Sequence, residues 1–358
     1  MNIIIQIYII ICVFLLIFDI CFLILKNRRT DVFFPENKKF EKQILQQIKT
    51  LKTTGIIDYT FEKEIQETQN MITLMNVLEK YPEEKNYFRN SICANLEVYQ
   101  KKSNYEQAYY TYVISTFDYQ TQKVNSYFAS RFISFLESES LYTFINTMEA
   151  FYAFGEEGYL LQALDKVDQR GTFYNQKLLV DGLLSAKVDF KKLNDKIVEN
   201  FDTYSEYMQE AFLDYFRMNN YDCQELCVQI IEQKDCDAEL RYSAMRYFKK
   251  FPNEKIKQYC INLLENSTQF EWVDQMLAIQ ILSQYDEERI RNCMKAKIHS
   301  PSWYVRLNAA QYLHKYQLNF DEIEEIVAKK DKFATEILLY QYSENKEVSQ
   351  FILEVENV

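Results

Sequence analysis

Five glycines and four prolines in 358 residues leave this chain very few places to turn sharply. Sheet hairpins and phosphate-cradling loops rely on glycine for backbone angles that other residues adopt only at a cost. A chain so short of both residues, yet 48% hydrophobic, is expected to be all-α: helices joined by short polar turns. Its 28 Tyr and 26 Phe then furnish a ring-rich core, with phenol hydroxyls reaching solvent or groove edges.

The N-terminal segment is of another kind. Residues 3–25 are almost unbroken in apolar side chains, and at about 1.5 Å per residue they reach about 34 Å, enough for the hydrocarbon core of a bilayer. No basic stretch precedes the run and no small-residue cleavage site follows it, so a transmembrane anchor is expected rather than a signal peptide. Residues 26–52 hold eight bases against three acids. By the positive-inside bias this places the C-terminal body in the cytoplasm and the N-terminus outside, in a single-pass cell-membrane protein. Asp19 interrupts the run. It either pairs with a polar group of a partner helix or lies near the interface and draws water toward it.

The remainder, residues 53–358, carries fifteen more acids than bases. Such a surface repels phosphate backbones, and nucleic acid is not an expected partner. From about Phe40 apolar residues recur at the helical period, with breaks expected at Gly55, Pro82, Gly155, Gly158, Gly171, Pro252 and Pro301. The expected organisation is an anchor (1–25), a basic juxtamembrane linker and helix (26–57), an irregular helical part (58–170) and a repeat region (171–358). The stretches 205–233, 237–266, 270–298 and 301–329 share one frame: a polar turn, a helix with a small residue at its tightest point, a short turn and a second amphipathic helix. The small residues Ala211, Ala244, Ala278 and Ala310 fall 33, 34 and 32 positions apart, the recurrence a stacked array requires.

Residues 301–313, with Val305-Arg306 ahead of Ala309-Ala310 and Leu313, resemble the first helix of a HEAT repeat, and Arg241 occupies the matching site in 237–266. Tetratricopeptide repeats have a similar length, but their Trp, Leu-Gly, Ala and Pro positions are not reproduced. The resemblance implies a right-handed α-α superhelix. It also implies that Arg241 and Arg306 bond turn acids, Asp235 or Asp237, to stitch neighbouring hairpins. Asp274 and Met208 stand where that arginine is missing.

Catalytic chemistry has little to draw on. The two histidines, His299 and His314, have no partners at metal-ligand spacing and read as a surface residue near a turn and a helix-face residue. Cys223 and Cys227 share a helix face, but without a second pair they read as core, and the eight scattered cysteines read as buried free thiols of a reducing compartment. No nucleotide, hydrolase or metalloprotease motif occurs. A non-enzymatic protein without cofactor or metal is expected. Tyr105, Tyr109 and Tyr112 share a helix face, either as a groove for a partner or as core. The expected function is a membrane-tethered scaffold whose helical array binds a protein partner, itself a membrane protein or complex. Single-pass HEAT-repeat proteins of this layout resemble bacterial accessory proteins of membrane glycosyltransferases that make surface polysaccharide. The alternatives are a ligand sensor using the tyrosine region as its pocket, or a HEAT-like DNA glycosylase, against which the acidic body and the anchor argue.

Overall fold

The computed structural model describes residues 11–22, 38–55, 57–171, 174–233, 235–266 and 269–356. Among them the chain is all-helical, with no strand, and consistent with an α-solenoid. The principal helices are α1 (Lys38–Thr54), α2 (Thr68–Leu78), α3 (Asn104–Ser115), α4 (Leu141–Ala153), α5 (Glu157–Arg170), α6 (Gln176–Ser185), α7 (Phe190–Glu199), α8 (Glu206–Asn219) and α9 (Gln224–Glu232). They continue as α10 (Ala238–Phe248), α11 (Glu254–Glu265), α12 (Trp272–Leu282), α13 (Glu288–Lys297), α14 (Trp303–Lys315), α15 (Phe320–Val327), α16 (Lys332–Gln341) and α17 (Lys346–Glu356).

Residues 11–22 of the expected membrane span are helical and exposed; residues 3–10 and 23–25 lie outside the described residues. Among the described residues no helix is long and apolar enough to cross a membrane, so the structure does not support the expected span.

Local chemistry explains where the helices start and stop. Asp189, Ser205, Asp237, Asn253, Asn319 and Asp331 each accept backbone N–H groups of the helix they precede, satisfying donors that have no partner inside the helix. With glycine so scarce, Asn220, Gln317 and Lys330 take left-handed φ values of 56°, 51° and 55°. Gly155 (φ +74°) is the turn where a side chain would be crowded as well as strained, because an added Cβ would stand 3.1 Å from the Lys187 carbonyl oxygen. Gly158, expected as a break, lies in the first turn of α5. A helix tolerates glycine there because it has only begun to form its own hydrogen bonds.

The chain divides into two compact units: residues 1–166 with 186–188, and residues 167–185 with 189–358. In the first unit, α1 packs Phe40, Ile44, Ile48 and Leu51 inward and lies against α2. The helical part of the stretch expected as a basic linker and helix thus buries one face. The interior of this unit is aromatic, with Phe132, Phe151 and Phe154 in mutual ring contact and almost fully buried. Arg89, 2% exposed, is satisfied by donating to the Asp118 and Gln122 carbonyls at 2.9 and 2.8 Å while lying over the Tyr119 ring.

The second unit is a run of helical hairpins, α6–α7 through α16–α17, in which the first helix of each hairpin packs on the first helix of the next. Ala211, Ala244, Ala278 and Ala310 are all completely buried, as close approach of those helices demands. A second recurrence, not visible as a motif, holds the turns. The Tyr247 hydroxyl in α10 donates to the Tyr221 carbonyl at 3.0 Å and accepts the Cys223 N–H at 3.2 Å, in the turn of the preceding hairpin. Tyr285 accepts the Asn253 N–H at 3.2 Å in the turn before it. Tyr312 donates to the Tyr285 carbonyl at 2.9 Å and Tyr316 to that of Ser283 at 3.0 Å. Tyr342 accepts the Leu318 N–H at 3.2 Å. Four successive turns are thus each tied by a tyrosine from the following hairpin, supplying partners to backbone groups that the turn itself leaves unpaired.

The second helices carry a different link. Lys255 pairs with Glu232, Arg289 with Glu265, and Lys295 with Glu325, each between consecutive second helices. The first two pairs are exposed and individually worth little, while Lys295 of the third is largely covered. They do, however, match opposite charges across every junction they span.

Removing one hydroxyl tests the tethers. Tyr247→Phe strips the buried Cys223 amide of its partner and is expected to cost about 1–3 kcal/mol in chemical denaturation. Burial also pushes the Tyr247, Tyr285, Tyr312 and Tyr342 phenols above their ordinary pKa. The native state then keeps protons that the unfolded chain releases near pH 10. Their stabilisation is complete below about pH 10 and is lost as pH rises through the folded pKa values. Exposed tyrosines are expected to ionise first with the helices intact, and the buried ones in a later step together with loss of helical circular dichroism; complete ionisation of tyrosine with the helices intact contradicts it.

Candidate binding surfaces

The stitching expected from the HEAT resemblance takes another form. Arg241 pairs with Asp274, its Nε and Nη2 lying 3.2 and 3.1 Å from Oδ1. The acid is 1% exposed and belongs to the first helix of the next hairpin. Asp274 occupies the site where a further arginine is missing from the frame, so one hairpin's Arg meets the next hairpin's Asp. Asp237 caps its own helix, accepting the Glu239 and Leu240 N–H groups, while Asp235 lies exposed in the turn. An acid committed to the helix N-terminus is no longer placed to reach sideways. Arg306 donates to the Ser300 and Pro301 carbonyls at 2.6 and 3.3 Å and lies over the Phe333 ring of the next hairpin. Both arginines therefore reach the neighbouring hairpin, one through charge and one through a ring face.

Beside Arg306 is a surface that the sequence reading missed. The chain has two tryptophans, and neither is in the core: Trp272 is 45% and Trp303 53% exposed. Trp272 stacks on Tyr304 with ring centroids 5.0 Å apart and planes at 20°, and Trp303 meets the same ring edge-on at 5.2 Å. Phe333 and Tyr340 are also exposed, and with Trp303, Arg306, Leu307 and Ile337 they border a groove of about 350 Å³. The rings come from α12, α14 and α16, successive first helices. The available signal was the placement of each tryptophan as the first residue of its helix, α12 and α14.

Tyr105, Tyr109 and Tyr112 of α3 come together on one cleft of the first unit, about 340 Å³ in volume, with Ile72, Met75 and Leu78 of α2. Tyr105 and Tyr112 are 58% and 50% exposed. The core tyrosine of α3 is Tyr110, fully buried, stacked on Tyr99 at 4.4 Å and donating to the Ile92 carbonyl. Burial raises the phenol pKa of Tyr109, which stays neutral at ordinary pH.

The remaining candidates are less productive. Asp19 is exposed on the helical residues 11–22. His299, half-buried instead of on the surface, has Nδ1 2.9 Å from the Asp331 carboxylate, and exposed His314 stacks edge-on against Tyr342. All eight cysteines are free, but only Cys223, Cys227 and Cys260 are buried; Cys12 and Cys21 are exposed. Cys223 and Cys227 lie with sulfurs 3.7 Å apart. Among the described residues no group of three or more His, Cys, Asp or Glu is placed to hold a metal ion.

No family model matches the chain, and neither does any curated protein. Nothing therefore assigns it to the HEAT-repeat family, and the functional reading rests on the surfaces themselves.

The Arg241–Asp274 pair predicts an asymmetry. Arg241→Ala leaves a carboxylate buried without a counter-charge and is expected to destabilise by about 3–5 kcal/mol. Asp274→Ala is expected to cost less, because the partly exposed arginine can turn to water. A double replacement by apolar residues is expected to recover most of the loss. Equal losses from the two single changes in denaturant melts count against this account.

Proposed function

We propose that this chain is a non-catalytic scaffold or accessory protein whose helical body binds a protein partner through the exposed aromatic surface of α12, α14 and α16. The observation that carries the reading is the placement of both tryptophans on that surface, stacked around Tyr304. Large apolar surface left in water is unfavourable unless a partner covers it, and Trp, Tyr and Arg dominate the residues on which protein interfaces depend. The second helices support the choice of face: their basic residues are already matched by neighbouring acids, whereas the aromatic rings are not matched by anything comparable.

In the same reading the hairpins form a HEAT-like right-handed superhelix, and residues 3–25 anchor the chain in a bilayer with the body on the cytoplasmic side. The support for this is the apolar run, its basic flank and the repeat frame. A membrane protein or complex is then the partner within reach, such as a glycosyltransferase of surface-polysaccharide synthesis.

Affinity capture from detergent-solubilised membranes of the native organism tests the proposal. It compares the full chain, a form beginning at residue 36, and the full chain carrying Trp272→Ala and Trp303→Ala. A partner held by the first two and weakened about thirtyfold or more by the double change is the expected result, corresponding to the loss of at least about 2 kcal/mol that such anchors contribute. Capture unaffected by the tryptophan changes would sink the proposal.

A further inference from the structure

The tyrosine cleft of the first unit differs in its chemistry from the aromatic surface of the second. Its walls are the α3 rings Tyr105, Tyr109 and Tyr112 and an aliphatic floor from α2. The Tyr109 and Tyr112 rings are 6.3 Å apart and inclined at 43°, so their faces are not closed against each other in a stack. At about 340 Å³ the cleft is at the small end of ligand sites.

Its electrostatics are mainly negative, with Lys85 as the one opposing charge in the lining. Glu79, the C-cap of α2, borders the cleft, and Thr116, the C-cap of α3, borders it as well. The C-terminal ends of two helices, each carrying partial negative charge on its last carbonyls, thus meet at one opening. The Glu79 carboxylate is exposed and makes no hydrogen bond or ion pair among the described residues. The tyrosine rings add the negative faces of their quadrupoles. The one cation in the lining already shows the preference of this environment: the Lys85 ammonium donates to the Thr116 carbonyl at 3.0 Å and lies 5.6 Å from the Phe117 ring centroid. That lysine is bonded to the end of α3 and also lies within the field of the Glu79 carboxylate, so an arriving cation would share Glu79 with it while the three rings stay open.

We propose that this cleft binds a single small organic cation of the alkylammonium class, held against the faces of Tyr105, Tyr109 and Tyr112 and opposite the Glu79 carboxylate. The group arrives either as a free molecule or as the side chain of a lysine on another protein; the recognition chemistry is the same. The site is independent of the aromatic surface on the second unit, so either proposal can fail alone.

Choline, its uncharged tert-butyl isostere and a short lysine-containing peptide, each titrated calorimetrically into the full-length protein, provide the test. Saturable binding of choline or the peptide is expected, with the uncharged isostere at least about tenfold weaker than choline. The relative strength of the two cations identifies the source: tighter choline points to a free molecule and a tighter peptide to a partner's lysine. Tyr112→Ala and Glu79→Gln, both at exposed positions, are each expected to weaken the preferred cation about tenfold with thermal melts unchanged. A tyrosine change that shifts the melt is replaced by Tyr105→Leu. Absence of saturation by both cations, equal affinity for the uncharged isostere, or binding untouched by these substitutions overturns the proposal.

Discussion

The hydrogen bonds from tyrosine hydroxyls to the turns of preceding hairpins are the constraint on which the second unit depends. A helical hairpin without glycine has to bend through residues that do not favour bending, and its turn then presents amides and carbonyls with no regular partner. Tyr247, Tyr285, Tyr312 and Tyr342 supply those partners from the neighbouring hairpin. The rings of Tyr247 and Tyr312 fill the core while their hydroxyls reach the turns. Phenylalanine can do only the first of these things. The abundance of tyrosine and the scarcity of glycine are therefore two sides of one solution.

Much of this was legible in the sequence, and the reasons for the failures are physical. The helical character followed from composition, and the buried alanines followed from their spacing, because close packing of helices admits only small residues there. The tethers were not legible: a tyrosine bonding to a turn one hairpin away leaves no fixed spacing, as positions 247, 285, 312 and 342 show. The Arg–Asp link was expected between the wrong residues, since a turn acid is claimed first by the amides beside it. Helical periodicity placed Tyr105, Tyr109 and Tyr112 together correctly as a face. It did not reveal that the neighbouring Tyr110 is the ring that enters the core. The exposed tryptophans escaped notice because an apolar side chain is by default assigned inward.

The two aromatic surfaces show how similar residues can be set in different chemical surroundings. On α12, α14 and α16 the rings stack on one another beside a guanidinium, giving a broad apolar surface suited to extended contact. In the cleft between α2 and α3 they stand at an angle around a small volume, next to a carboxylate and two helix C-termini. Ring count alone does not distinguish these situations; the orientation of the rings and the sign of the nearby charge do.

The tethers also have a direction. Four successive turns are completed by the hairpin that follows them, so detaching such a hairpin uncovers the turn of its predecessor, whereas the hairpin after it keeps its own turn tied from the other side. Mechanical tension applied at the C-terminal end of the unit would therefore peel hairpins off in order, each release weakening the next one to go. The same tension applied at the N-terminal end would meet hairpins whose turns are still held. A run of similar helical pairs thereby acquires a polarity: losing its C-terminal hairpin leaves an untied turn behind, and losing its N-terminal hairpin does not.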